Sequence, residues 1–237
     1  MPSVNFLYKK SYAVTDDIKI AIPTVREIIE CEDEYYGSVF SLTAMPIDLM
    51  VQLDDIGIDF TKINDYELFL LMFSAVRESE CAGLIFDGLN LQNFQTAMDE
   101  NERVILFDPE AGIKIDRVIY QKIAWVLREI HGLKRNTSRP GNEEARKYML
   151  ERERIKMKRA ARRKQKSYLE SLIIALVNTE QFKYNYESVL DLTIYQLNAS
   201  VRQIAKKINY DNVMIGCYTG NVDMKKLSQD ELLWLPN

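Results

Sequence analysis

KRNTSRPGNEEARKYMLERERIKMKRAARRKQK, residues 134–166, holds fourteen Lys/Arg against four acids, a local charge of +10 in a chain whose total is −4. Residues 1–133 sum to −12 and residues 167–237 to −2. This asymmetry predicts three parts: an acidic helical α+β domain at 1–132, a basic linker and helix at 133–166, and a C-terminal helical domain at 167–237. Pro140-Gly141 closes the linker. Asn142 is placed to cap a long helix, with Glu143 and Glu144 in its first turn, where the helix dipole favours anions. Between Glu151 and Lys166 only Ile155, Met157, Ala160 and Ala161 are apolar. So thin a stripe cannot bury a helix, so this part is expected to be solvated or covered by an acidic partner.

Upstream, residues 5–8 and 18–22 read as two short strands in a hairpin or at sheet edges. Thr24 with Glu27 forms a capping box for a helix whose apolar side runs through Val25, Ile28, Ile29, Tyr35, Tyr36 and Val39. A second helix starts near Pro46 and ends at Gly57. Asn64 with Glu67 caps a third, dense in Leu and Phe. Leu84-Ile85-Phe86 reads as a strand, residues 90–99 as a short helix, and residues 103–116 as a β-hairpin around Asp108-Pro-Glu-Ala-Gly112. Asp116 caps a helix with Ile119, Ile123, Val126, Leu127 and Ile130 at a 3.6-residue period, stopped by Gly132.

Downstream, the basic helix is expected to turn apolar from Tyr168 and dock. Thr193 with Gln196 forms another capping box, and Ile194, Leu197, Val201, Ile204 and Ile208 follow at spacings of 3, 4, 3 and 4. That is a heptad-like stripe suited to a small bundle or a partner. Ser228 with Glu231 is placed to cap a last helix bearing Trp234, either a lid on the second core or a docking peptide. The fold class is mainly α with α+β character: a helical N-terminal domain with a small antiparallel sheet, a basic helical connector and a small C-terminal helical bundle.

The chemistry is sparse. Three widely spaced cysteines, Cys31, Cys81 and Cys217, without a C-x-x-C pair read as separate thiols in a reducing cytoplasm. His131, the one histidine, sits in the last turn of a helix and reads as a capping or surface residue. No phosphate loop, nucleophile–His pair or metal-ligand spacing occurs, so the expectation is a protein without catalysis, cofactor or metal. The N-terminus lacks a secretory pattern and the longest apolar run is far short of the roughly 20 residues of a membrane span. A cytoplasmic binding or assembly protein is the expected class, and the same features suit self-association. Partner contacts are assigned to Arg152, Lys156, Arg159, Arg162 and Arg163 on the basic segment, and to Ile194, Leu197, Val201, Ile204 and Trp234 as an apolar groove. Nucleic-acid binding by the helix at 146–166 is the alternative its charge allows, although only Tyr148 and Tyr168 flank it for base stacking.

The run IAIPTVREI (residues 20–28) leading to Tyr35-Tyr36, then LDDIGIDF (53–60), LTIYQL (192–197), Tyr218-Thr-Gly220, Lys225-Lys226 and Trp234 resembles proteins encoded by tailed phages of Gram-positive bacteria. The family it is most similar to is that of the tail assembly, or tape-measure, chaperones. The resemblance implies a non-enzymatic protein of the infected cell that coats the tape-measure protein and recruits tail-tube subunits. It also implies a helical N-terminal domain extended by a second one, in that family often through a ribosomal frameshift. A structural or adaptor protein retained in the tail or capsid is the other reading in that class.

Overall fold

The computed structural model describes residues 5–162, 166–228 and 232–235. The chain is mainly helical with two small antiparallel sheets, as its periodicities predict. β1 (Ser11–Ala13) pairs with β2 (Lys19–Ala21), Tyr12 opposite Ile20. The first strand therefore lies later than residues 5–8. The Asn5 side chain accepts from the Leu7 amide in a tight turn, which takes that stretch out of pairing. The expected first helix is two: α1 (Val25–Ile29), with both halves of the Thr24–Glu27 box made, and α2 (Glu32–Thr43), broken apart at Cys31. Pro46–Leu49 is a 3-10 turn leading into α3 (Met50–Asp55), and Gly57 at φ 77° ends it. Asn64 caps α4 (Asp65–Glu78) as predicted.

Two further segments differ from expectation. Leu84-Ile85-Phe86 is not a strand: Ser79 accepts from the Cys81 amide and starts a 3-10 turn over Glu80–Leu84, leaving one bridge from Phe86 to Ile20. Residues 90–99 make a single 3-10 turn and then β3 (Gln95–Met98). β3 pairs with β4 (Val104–Asp108), which pairs with β5 (Ile113–Ile115), so the predicted hairpin is the inner part of a three-stranded sheet. The β3–β4 turn has no glycine. Asp99 accepts from the Asn101 and Arg103 amides instead, and Glu102 takes the left-handed conformation at φ 60°.

α5 (Arg117–His131), capped by Asp116, is the hub. Tyr120, Ile123, Ala124, Val126, Leu127 and Ile130 are all buried, and α5 packs on α2, α4, β2, β5 and α8 (Ile194–Tyr218). Gly132 sits at φ 65° and the Leu133 amide reaches back to the Arg128 carbonyl, a Schellman stop. Gly132→Ala is expected to cost about 1–2 kcal/mol through the left-handed backbone, with the Arg202 side chain that packs there swinging aside. A lowered denaturant midpoint at unchanged slope would register it.

α6 (Glu143–Ala160) is separate from α7 (Tyr168–Val177), because Ser167 accepts from the Glu170 amide and begins a new helix. Leu169, Ile173, Leu176, Val189, Leu192, Ile194 and Leu197 enter the same buried cluster as Ile20, Ile28, Phe86 and Ile130. The two capping boxes sit back to back: Val25 N donates to Leu192 O at 2.9 Å and Ile194 N to Pro23 O at 2.8 Å. The chain beyond 167 thus shares its core with the first 132 residues. A second, smaller cluster holds α3, Phe60, Leu68 and, from α6, Leu150.

Two single-residue readings are also corrected. Cys31 and Cys81 form a disulfide, their Cα atoms 6.6 Å apart, with Cys217 free. A separation of 50 residues hid that the start of α2 packs on the Glu80–Leu84 turn. His131 is buried rather than on the surface, because the last turn of α5 lies under α2; its Nε2 is 3.1 Å from the Tyr35 hydroxyl.

Candidate interaction surfaces

α6 is amphipathic in charge rather than in apolarity. Asn142 Oδ1 accepts from the Ala145 amide, and Glu143 holds Arg146 through two bonds of 2.7 and 2.8 Å. One face rests on the first body. Leu150 is buried there, and Arg154 reaches both Asp54 and Asp55 at 2.7 Å. Positions 146, 150 and 154 are four apart, so they align. The preceding linker is tied down as well: Arg135 pairs with the buried Asp65 at 2.7 Å, and Asn136 donates to Asp48. Part of the basic segment therefore answers the acidic body within the chain.

The opposite face of α6 carries Tyr148, Arg152, Ile155, Lys156 and Arg159, all exposed, with Arg162 in the turn beyond. Lys156 pairs with Glu153 at 2.7 Å. Among the described residues Arg152, Arg159 and Arg162 have no ion-pair partner. Arg163 lies outside the described residues. These cations share one face because 152, 156 and 159 fall at helical spacings of four and three.

α8 divides its stripe in two. The Thr193–Gln196 box is made in both directions. Ile194 and Leu197 are fully buried in the core, so they cannot line an open groove. Val201 and Ile204 are partly buried against the same core. Ile208 is 40% exposed and Ile215, seven residues on, 60%. The distal half of α8 thus presents isoleucines on a face the core leaves open. The end of the chain folds back on a different face. Gln203 donates to the Trp234 carbonyl at 2.9 Å, and the Lys207 ammonium sits 5.4 Å from the Trp234 ring centre. Gln203 and Lys207 each precede a stripe isoleucine by one residue, about 100° around the helix. Trp234 is therefore packed as a lid on α8. The predicted cap at Glu231 lies outside the described residues; the Leu232 amide does reach the Ser228 carbonyl.

Among the described residues, no group of three His, Cys, Asp or Glu could hold a metal ion, and no helix is long and apolar enough to cross a membrane. Residues 161–237 match the family model described as YomV second domain. That match points to a phage-derived protein. It spans about a third of the chain and takes in α7, α8 and the tail that lies on it. No curated protein and no solved structure matches the chain.

Sequence reasoning placed the outward cations of α6 and the outer part of the α8 stripe. It missed that Ile194 and Leu197 belong to the core, since heptad spacing does not say which turns another helix covers.

Proposed function

We propose that this phage-derived protein acts without catalysis in virion morphogenesis, as a tail assembly chaperone that holds helical segments of the tape-measure protein and recruits tail-tube subunits. The observation that carries this reading is the open isoleucine face of distal α8, Ile208 and Ile215 beyond the last buried turn. Such a face, about two turns long with charged flanks from Lys206, Lys207 and Asp211, suits the apolar side of an amphipathic client helix. The phage-family match falls on the same segment. The resemblance of residues 20–28, 53–60 and 192–197 to tape-measure chaperones supports the choice of client.

Replacing both exposed isoleucines, Ile208→Asp with Ile215→Asp, is expected to abolish recovery of tape-measure and tail-tube proteins with tagged protein from infected cells. Their positions outside the core should leave the thermal midpoint within a few degrees of wild type. Recovery of the same clients by the variant would overturn the reading. Mass spectrometry of purified virions separates the chaperone, which leaves before completion, from a structural component, which stays. Salt-released nucleic acid as the sole co-purifying material would favour the α6 cations as the working surface instead.

A further inference from the structure

Beside the start of α7 lies a cleft of about 490 Å³ walled by Tyr36, Phe40, His131, Leu133 and Tyr168. Its rings form a box. Tyr36 stands at 89° to Tyr168 with centres 5.9 Å apart, and at 72° to the His131 ring at 6.0 Å. Phe40 and Tyr168 remain 42% and 58% exposed at its mouth, an open apolar surface that no described residue covers. One rim is acidic. Glu30, Glu32, Asp33 and Glu34 crowd the break between α1 and α2, and the cleft they line continues into the aromatic one, with Lys166 the cation on the shared rim. Glu32 is occupied, accepting from the Ser167 hydroxyl and the Leu169 amide, and Glu34 accepts from Ser79. Glu30 and Asp33 have no hydrogen-bond or ion-pair partner among the described residues, and face outward.

His131 adds an independent sign. It is buried, its Nδ1 has no partner among the described residues, and its ring forms part of the wall. Burial lowers its pKa to about 4, so the wall is uncharged at neutral pH and does not repel a cation. Aromatic faces beside free carboxylates favour a guanidinium above other groups, because it stacks on rings and pairs with carboxylates through the same plane. The chain carries that group on a free surface: Arg152, Arg159 and Arg162 on the outer side of α6, interleaved with Tyr148 and Ile155.

We propose that the acidic aromatic cleft receives the outer, arginine-bearing face of α6 from a second copy of this chain. Cleft and helix are different patches, so the contact is head-to-tail and each copy has one of each to offer, giving a ring if the rotation closes and an open string if it does not. Charge steers the encounter and the aromatic box supplies the fit. The outer isoleucines of α8 take no part, so client capture and self-association are separable.

Sedimentation velocity of the full chain tests this. At about 0.05 M salt the protein is expected to associate with rising concentration, and at about 0.5 M to be monomeric, since exposed charges are screened there. Glu30→Lys with Asp33→Lys is expected to abolish association, and so is Arg152→Glu with Arg159→Glu; all four side chains are exposed, so both variants should keep the wild-type melt. Mixing the two variants should restore association, because the unaltered helix of one meets the unaltered cleft of the other. Tyr168→Ala is expected to weaken association about tenfold, whereas Tyr218→Ala, more exposed and at the far end of α8, should not. The proposal is overturned if wild type stays monomeric at low salt, if the mixed variants fail to pair, or if both charge swaps leave association intact. A cleft that takes up a free arginine-rich peptide in a protein that never self-associates overturns it as well, by giving the site to a different basic partner.

Discussion

A chain ending at residue 132 is expected not to fold. The charge pattern alone would let the acidic first body stand by itself, with its own helices and sheet. The packing does not. Leu169, Ile173, Leu176, Val189, Leu192, Ile194 and Leu197 are each at most 7% exposed and belong to the main buried cluster. Each such side chain contributes about 1.5–3 kcal/mol when removed from water. Seven together are on the order of 10–20 kcal/mol, as large as the whole stability of a typical domain, about 5–15 kcal/mol. Cutting at 132 also strips the facing surfaces of α1, α2 and α5, and takes Arg135 from the buried carboxylate of Asp65. Far-UV circular dichroism of residues 1–132 should show helix without a cooperative melt. A sharp transition, with dispersed amide resonances, would mean that the body closes its core unaided.

What could be read from the sequence was what lies within a few residues. The boxes at Thr24–Glu27, Asn64–Glu67 and Thr193–Gln196, the Asp116 cap and the Gly132 stop each depend on side chains that reach only three or four positions, and all form as spaced. The Asp108–Gly112 turn is of the same kind. Misreadings arose where the deciding contact is distant, or where a local side chain cut a pattern short. Leu84-Ile85-Phe86 has strand composition, yet Ser79 starts a turn just before it. Gln95–Met98 lacks the alternation of a buried strand because it lies at the sheet edge with most side chains exposed. The α8 stripe was visible in full, but its division into core and open surface is set by α5, more than sixty residues earlier. The same distance hid the cleft beside Tyr168, whose walls come from α2, the end of α5 and the start of α7.

Lowering the pH from 7 to 4 is expected to cost the wild type about 3 kcal/mol more than a variant carrying Tyr35→Phe with His131→Phe. Burial holds the His131 pKa at about 4 in the folded chain, against about 6.5 when unfolded. Below pH 6.5 the unfolded chain therefore takes up a proton that the folded one refuses. Stability falls as pH falls through 6.5 toward 4, by about 1.4 kcal/mol per pH unit, and no slope from this residue remains above about pH 7. The Tyr35 hydroxyl, itself buried with its pKa raised by desolvation, offers the ring a neutral partner and no charge to stabilise an imidazolium. Removing both polar groups leaves an apolar pair of similar shape, so any packing penalty is independent of pH. Carboxylates such as Asp59, Asp99 and Glu143, whose pKa values are lowered by hydrogen bonds, add an acid-side slope of the same sign to both proteins. The observable is accordingly the difference between the two denaturation series across pH. Parallel curves from pH 7 to 4 would mean that His131 accepts its proton in the folded chain, which its burial under α2 does not allow.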